Sequence, residues 1–157
     1  MPPTETNKKE VIYAVVGLKR KVLADYTEKK GGSFTSFTDD ILKKISNSEP
    51  GKYCIDYESF QYMYLKETSD KGLVFILLVE SGYKKETGFG LLMKMRTTFN
   101  EMFTEKRIKN AKPYSLSKEF NGDMKNLIKV YSIDSYDKVD VVINQFEDLK
   151  SQQQENL

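Results

Sequence analysis

The run Leu73 to Val79 (LVFILLV) is apolar at every position, and no other feature of the chain restricts the fold as tightly. A strand with one solvated face alternates apolar and polar residues, so an unbroken run needs cover on both faces. Crossing a bilayer takes about 20 residues, far more than this run provides. The run is therefore predicted to be a strand buried on both faces, in a sheet with helices on both faces. A chain of 157 residues suits one such domain and a tail, with a single core.

The flanking residues supply the rest of the sheet and its cover. Val11 to Val16 and Val22 to Tyr26 are β-branched runs separated by Gly17, Leu18 and the basic trio Lys19 to Lys21, the pattern of an antiparallel hairpin. The trio reads as a solvated turn in preference to an anionic-lipid contact. After Gly31 and Gly32, a helix is predicted from Ser33 to Ser46 with Phe34, Phe37, Ile41 and Ile45 on its apolar stripe. Leu42 sits at the edge of that stripe, where exposure is expected. Pro50 and Gly51 stop the helix, and alternation then predicts strands over Tyr53 to Tyr57 and Phe60 to Leu65. Beyond this run, a helix is expected from Lys84 to Glu105, with Gly88, Leu91, Leu92, Met95, Phe99, Met102 and Phe103 on one stripe. A second begins near Ser117 and aligns Phe120, Met124, Leu127, Ile128 and Tyr131. The predicted order is ββαβββαα, an α+β domain over residues 10–132, preceded by a flexible segment 1–9.

The tail, 133–157, follows a different period. Val139, Val142, Phe146, Leu149, Gln153 and Asn156 recur at alternating steps of three and four, the seam of a helix that pairs with other helices. A lone helix of this length is marginal in water, so it needs a surface, in its own domain or in another chain.

Several kinds of chemistry are excluded. The chain has no histidine, which removes Ser-His-Asp and Cys-His catalysis and histidine-ligated metals. Cys54, the single cysteine, reads as a half-buried core residue rather than a nucleophile, and a lone cysteine points to a reducing compartment. Gly88-Phe89-Gly90 lacks the third glycine of a dinucleotide loop and reads as close packing at a helix start. With 25 basic and 23 acidic residues interspersed, no basic stripe favours nucleic acid. No cofactor and no catalytic residue is expected.

Val11 to Val16 (VIYAVV), the hairpin after it, Gly32-Ser33-Phe34, Ile41-Leu42-Lys43-Lys44-Ile45, Lys112-Pro113-Tyr114 and Ser117-Lys118-Glu119-Phe120 together resemble the longin domain of vesicle SNARE proteins. The likeness is to the vesicle-associated membrane protein branch of the R-SNAREs, and the tail from Asp137 resembles the opening turns of their SNARE motif. The resemblance implies a profilin-like fold: a five-stranded antiparallel sheet with one helix on one face and two on the other. It also implies a regulatory domain in vesicle-mediated membrane fusion, at the cytoplasmic face of vesicles or endomembranes. Its partners would be other SNARE helices in a four-helix bundle, sorting adaptors or tethers, and its own SNARE segment folded back. Membrane attachment would come only through a C-terminal anchor absent from this chain.

Carried over by position, the six tail residues above fall on successive layers of the SNARE bundle. The family's arginine layer would lie one heptad past Asn156, and Gln153 stands where the family commonly has an apolar residue. The fold-back groove implied by the family lies between the first helix and the third strand, at Leu42, Ile45, Tyr53 and Ile55. Two rival readings stay open: a longin-fold adaptor or tethering subunit serving as a trafficking scaffold, and a small-molecule or enzymatic module of similar topology.

Overall fold

In the computed structural model, residues 9–28, 34–68 and 72–132 are described. They form β1 (Val11–Leu18), β2 (Lys21–Tyr26), α1 (Thr35–Ile45), β3 (Gly51–Tyr57), β4 (Phe60–Lys66), β5 (Leu73–Glu80), α2 (Lys85–Met102), α3 (Glu105–Asn110) and α4 (Ser117–Ser132). The strands make one antiparallel sheet of order β2-β1-β5-β4-β3. β5 lies at the centre, as its apolar run requires. Val74, Ile76 and Leu78 point to the face packed by α1, and Leu73, Phe75, Leu77 and Val79 to the face packed by α2 and α4. Alternation persists along β5, but each side of the sheet has its own helical layer, so both sets of side chains are apolar.

The α1 layer is aromatic. Phe37, Ile41, Leu42 and Ile45 of the helix pack on Tyr13, Val15, Tyr62, Tyr64 and Ile76 of the sheet. The other layer is larger, and Phe99 and Phe120 sit at its centre with Met63, Phe75 and Leu92. Gly88 belongs to this packing. A Cβ placed there would collide with the Met63 thioether, so α2 lies against β4 more closely than any other residue would permit.

Three sequence expectations change. The first hairpin turn is only Lys19 and Arg20, because Gly17 and Leu18 join β1 and Lys21 joins β2. A bulge between Val16 and Gly17 leaves Leu23 as an extra residue, so Leu23 and Ala24 both face the α2–α4 layer. The helix expected to run to Glu105 ends at Met102, where Phe103 is extended, and a separate α3 follows. Thr104 starts it: its Oγ1 accepts from the Arg107 N–H at 3.2 Å, satisfying one of the orphan donors of a helix start. Leu42, expected to be exposed, is 1% exposed. Gly17 faces it across the layer, where a Cβ would stand 3.1 Å from Leu42 Cδ2, so the missing side chain makes the room that Leu42 fills.

The turn between β3 and β4 contains Glu58 at φ 56, a left-handed conformation in a non-glycine residue. This conformation costs an L-residue about 1–2 kcal/mol, whereas glycine adopts it freely but loses about 0.5–1 kcal/mol of chain entropy. Glu58→Gly is therefore expected to leave stability unchanged or raise it by up to about 1 kcal/mol in urea unfolding. A comparable loss would mean that the Glu58 side chain contributes to the fold.

Candidate partner-binding groove

β3 is an edge strand, paired only with β4 among the described residues. Strand alternation sends Tyr53, Ile55 and Tyr57 towards the α1 side and Cys54 towards the opposite layer. Opposite them in register stand Tyr64, Tyr62 and Phe60 of β4. Tyr53 stacks on Tyr64 with centroids 4.6 Å apart, and Tyr62 and Tyr64 lie 6.3 Å apart in nearly parallel planes. Phe37 of α1 meets Tyr57 and Tyr62 edge to face at 5.1 and 6.0 Å. The result is an aromatic floor between α1 and β3. Ile55 is 38% exposed in the middle of it, between Tyr53 and Tyr57.

Both ends of α1 are fixed to the sheet, so this floor has a rigid wall. At the C-terminal end the Lys66 ammonium donates to the carbonyls of Ile45, Ser46 and Ser48 at 2.9, 3.3 and 2.6 Å. Ile45 ends the helix, Ser46 caps it and Ser48 follows it, and a cation at this end interacts favourably with the helix dipole. At the N-terminal end Phe34 stacks on Tyr13 at 4.6 Å, and the Thr38 hydroxyl lies 2.7 Å from the Phe34 carbonyl and 3.2 Å from the Tyr13 hydroxyl. Tyr13 in turn donates to Asp25 at 2.6 Å.

The four groove residues expected from the sequence are thus neighbours, with different roles. Tyr53 and Ile55 present surface. Leu42 and Ile45, 1% and 3% exposed, are the buried underside of the wall. Lys66, Phe37 and Tyr57 were absent from the expected set. The alternation of Tyr53, Ile55 and Tyr57 carried a signal for Tyr57, but nothing local marks Lys66 as the clamp on a helix 21 residues away in sequence. The six tail positions, Val139 to Asn156, lie outside the described residues.

The groove surface is apolar and aromatic, and its ionisable side chains are held in their neutral forms. Burial raises the phenol pKa of Tyr53, Tyr62 and Tyr64, so these rings stay neutral well beyond physiological pH. Burial also raises the pKa of the Cys54 thiol, reducing the thiolate that nucleophilic attack needs. Among the described residues no group of acidic or cysteine side chains has the arrangement of a metal site. No helix among them is long and apolar enough to cross a membrane.

Comparison with known proteins agrees with this architecture. The family model "Longin: Regulated-SNARE-like domain" matches residues 23–124. Vesicle-associated membrane protein 726 of Arabidopsis thaliana is 28% identical over 118 residues, covering 75% of this chain and 51% of the relative. Vesicle-associated membrane protein 722 of the same plant is 24% identical over 132 residues, covering 84% of this chain and 57% of the relative. The chain thus spans little more than half the length of these relatives. With a matching family model over most of its folded part and the expected sheet flanked by helices on both faces, the chain belongs to the longin family of regulated-SNARE-like domains.

Proposed function

We propose that this domain regulates a vesicle SNARE of the R-SNARE group by holding a SNARE helix, its own tail in the first instance, in the groove between α1 and β3. It acts by binding and not by catalysis, in vesicle trafficking. The observation that carries the reading is Ile55: a large aliphatic side chain, 38% exposed, framed by tyrosines on a strand that pairs only with β4 among the described residues. Val142, Phe146 and Leu149 give the tail a complementary apolar seam. With the tail docked, the layers needed for a four-helix bundle are withheld; with the groove emptied by a competing helix, adaptor or tether, they are released.

The connection is long enough. The Tyr83 hydroxyl donates to the Tyr131 carbonyl, which sets the end of α4 beside the residues that follow β5. Phe60 pairs with both Glu80 and Tyr57, so the Tyr57 end of the groove lies at that same end of the sheet. Residues 133–138, fully extended, reach about 20 Å, against about 10 Å between packed layers and about 10 Å across the two strand spacings from β5 to β3.

The test compares amide spectra of the whole chain with those of a form ending at Ser132. Resonances of Tyr53, Ile55 and Tyr57 are expected to move when the tail is present and to lose that shift in Ile55→Asp. Identical spectra with and without the tail would overturn intramolecular docking. Leu42 and Ile45, being buried, are expected to respond less than the surface residues.

A further inference from the structure

One end of the domain collects cations from segments far apart in the sequence. The turn between β1 and β2 exposes Lys19 and Arg20. Lys19 is left-handed at φ 57, and its N–H donates to the Gly72 carbonyl at 3.1 Å, which holds the turn in place. Lys21 does not face solvent as freely: its ammonium donates to the Ala111 carbonyl at 2.7 Å, tying the residues after α3 to the hairpin. That tie brings a second basic segment beside the first. Lys106, Lys109 and Lys112 are all exposed on α3 and just past it. Arg107 belongs to a different contact, a two-bond pair with Glu119 at 2.6 and 3.2 Å.

Among the described residues the acidic groups at this end are Glu49, just before β3, Glu67, Glu101 and Glu105, and Glu67 accepts from Asn100 at 3.3 Å. At the far end of the sheet acidic and basic residues are mixed, with Glu10, Glu58 and Glu80 beside Lys9, Lys84 and Lys85. The five lysine and arginine side chains stand on a turn tip and a short helix, an outward-facing surface. A flat sheet of negative charge matches such a surface better than a single anion that needs a pocket.

We propose that this end of the domain, through Lys19, Arg20, Lys106, Lys109 and Lys112, binds the anionic headgroup surface of a lipid bilayer. The contact leaves the groove accessible, because its Tyr57 entrance lies at the opposite end of the sheet. It is independent of whether the tail docks there.

The experiment is co-sedimentation of the whole chain with vesicles of phosphatidylcholine alone or mixed with phosphatidylserine. Binding is expected to appear with phosphatidylserine and to weaken as salt shortens the screening length. Each cation near a membrane surface is worth about fivefold in binding, so the combined substitution Arg20→Gln, Lys109→Gln and Lys112→Gln is expected to lower affinity by at least about tenfold. Lys85→Gln, Lys125→Gln and Lys129→Gln remove the same charge from exposed sites elsewhere and are expected to lower it less than about threefold. All six residues are exposed, and unchanged circular dichroism checks that both variants fold. Equal weakening by the two variants, or binding indifferent to phosphatidylserine, would overturn the proposal. Tighter binding to immobilised polyglutamate than to phosphatidylserine vesicles of matched charge density, at the same salt, would also overturn it, and would assign the surface to an acidic protein.

Discussion

Stability is expected to fall steeply above pH 10, because two buried tyrosines can be deprotonated only at the expense of the fold. Tyr13 is 3% exposed and Tyr83 6%. Burial, and then the hydrogen-bonded carboxylate of Asp25, push the Tyr13 phenol far above its ordinary value of 10.0. Burial does the same to Tyr83, with a smaller contribution from Tyr131. Below pH 10 both the folded and the unfolded chain hold these protons, and the full stability is present. Above it the unfolded chain releases protons that the folded chain retains, so each pH unit removes about 1.4 kcal/mol per tyrosine until the folded value is reached. Two tyrosines therefore remove about 5 kcal/mol by pH 12, equal to the whole stability of a marginal domain. Urea unfolding across this range, with tyrosinate absorbance recorded in parallel, is expected to show both changes together. Tyr83→Phe should take about 1.4 kcal/mol per pH unit out of that slope, since its hydroxyl makes only a long bond of 3.4 Å to Tyr131. A flat stability profile, with tyrosinate appearing in a folded protein, would contradict the burial of both rings.

The second large effect is Phe99→Ala. Phe99 is completely buried, with ring centroids 6.0 Å from Phe75, 4.8 Å from Phe103 and 5.2 Å from Phe120. It joins β5, α2, the break before α3, and α4. Removing the ring leaves a cavity that four elements would have to close together, a cost of about 3–5 kcal/mol. The edge-to-face geometry with Phe75 and Phe120 adds about 0.5–1.5 kcal/mol for each pair lost. In a domain of this size the melting temperature is expected to fall by roughly 15 °C or more. Val130→Ala on α4, where Val130 is 43% exposed, serves as the comparison and should stay within about 0.5 kcal/mol of the parent. A small change at Phe99 would mean that the three neighbouring rings collapse into the space.

Periodicity in this chain reports burial accurately wherever one element meets one surface. β5 reads as a strand covered on both faces, and α4 shows its core stripe at Phe120, Met124 and Ile128. Half of the groove was equally readable. Tyr53, Ile55 and Tyr57 alternate, and alternation alone places them on one side of a strand. The failures come from contacts between distant segments. Leu42 lies at the edge of its helical stripe, and its burial depends on Gly17, a residue in another element whose lack of a side chain matters only once the two face each other. Lys66 looks like a polar strand end, but it bonds to the last carbonyl of α1 and to that of Ser48 just past it. The split between α2 and α3 did have a local signal in the Thr104 cap, which the continuing apolar spacing to Phe103 obscured.

The basic trio shows the same division. As a stretch of sequence, Lys19 to Lys21 is an ordinary solvated turn. Lys21 bonded to Ala111 places Lys106, Lys109 and Lys112 beside it, and three charges become a surface. The amino-acid sequence by itself determined most of the elements, their apolar faces, the burial of Leu73 to Val79 on both sides and the absence of histidine chemistry. These follow from local period and composition, which every short window of the chain carries. The tertiary structure decided that β3 pairs only with β4 among the described residues, that α1 is clamped by Lys66 while Ile55 is exposed, and that two basic segments meet at one end. Strand order and the meeting of remote segments are set by packing the whole chain at once, and no window of sequence contains that information.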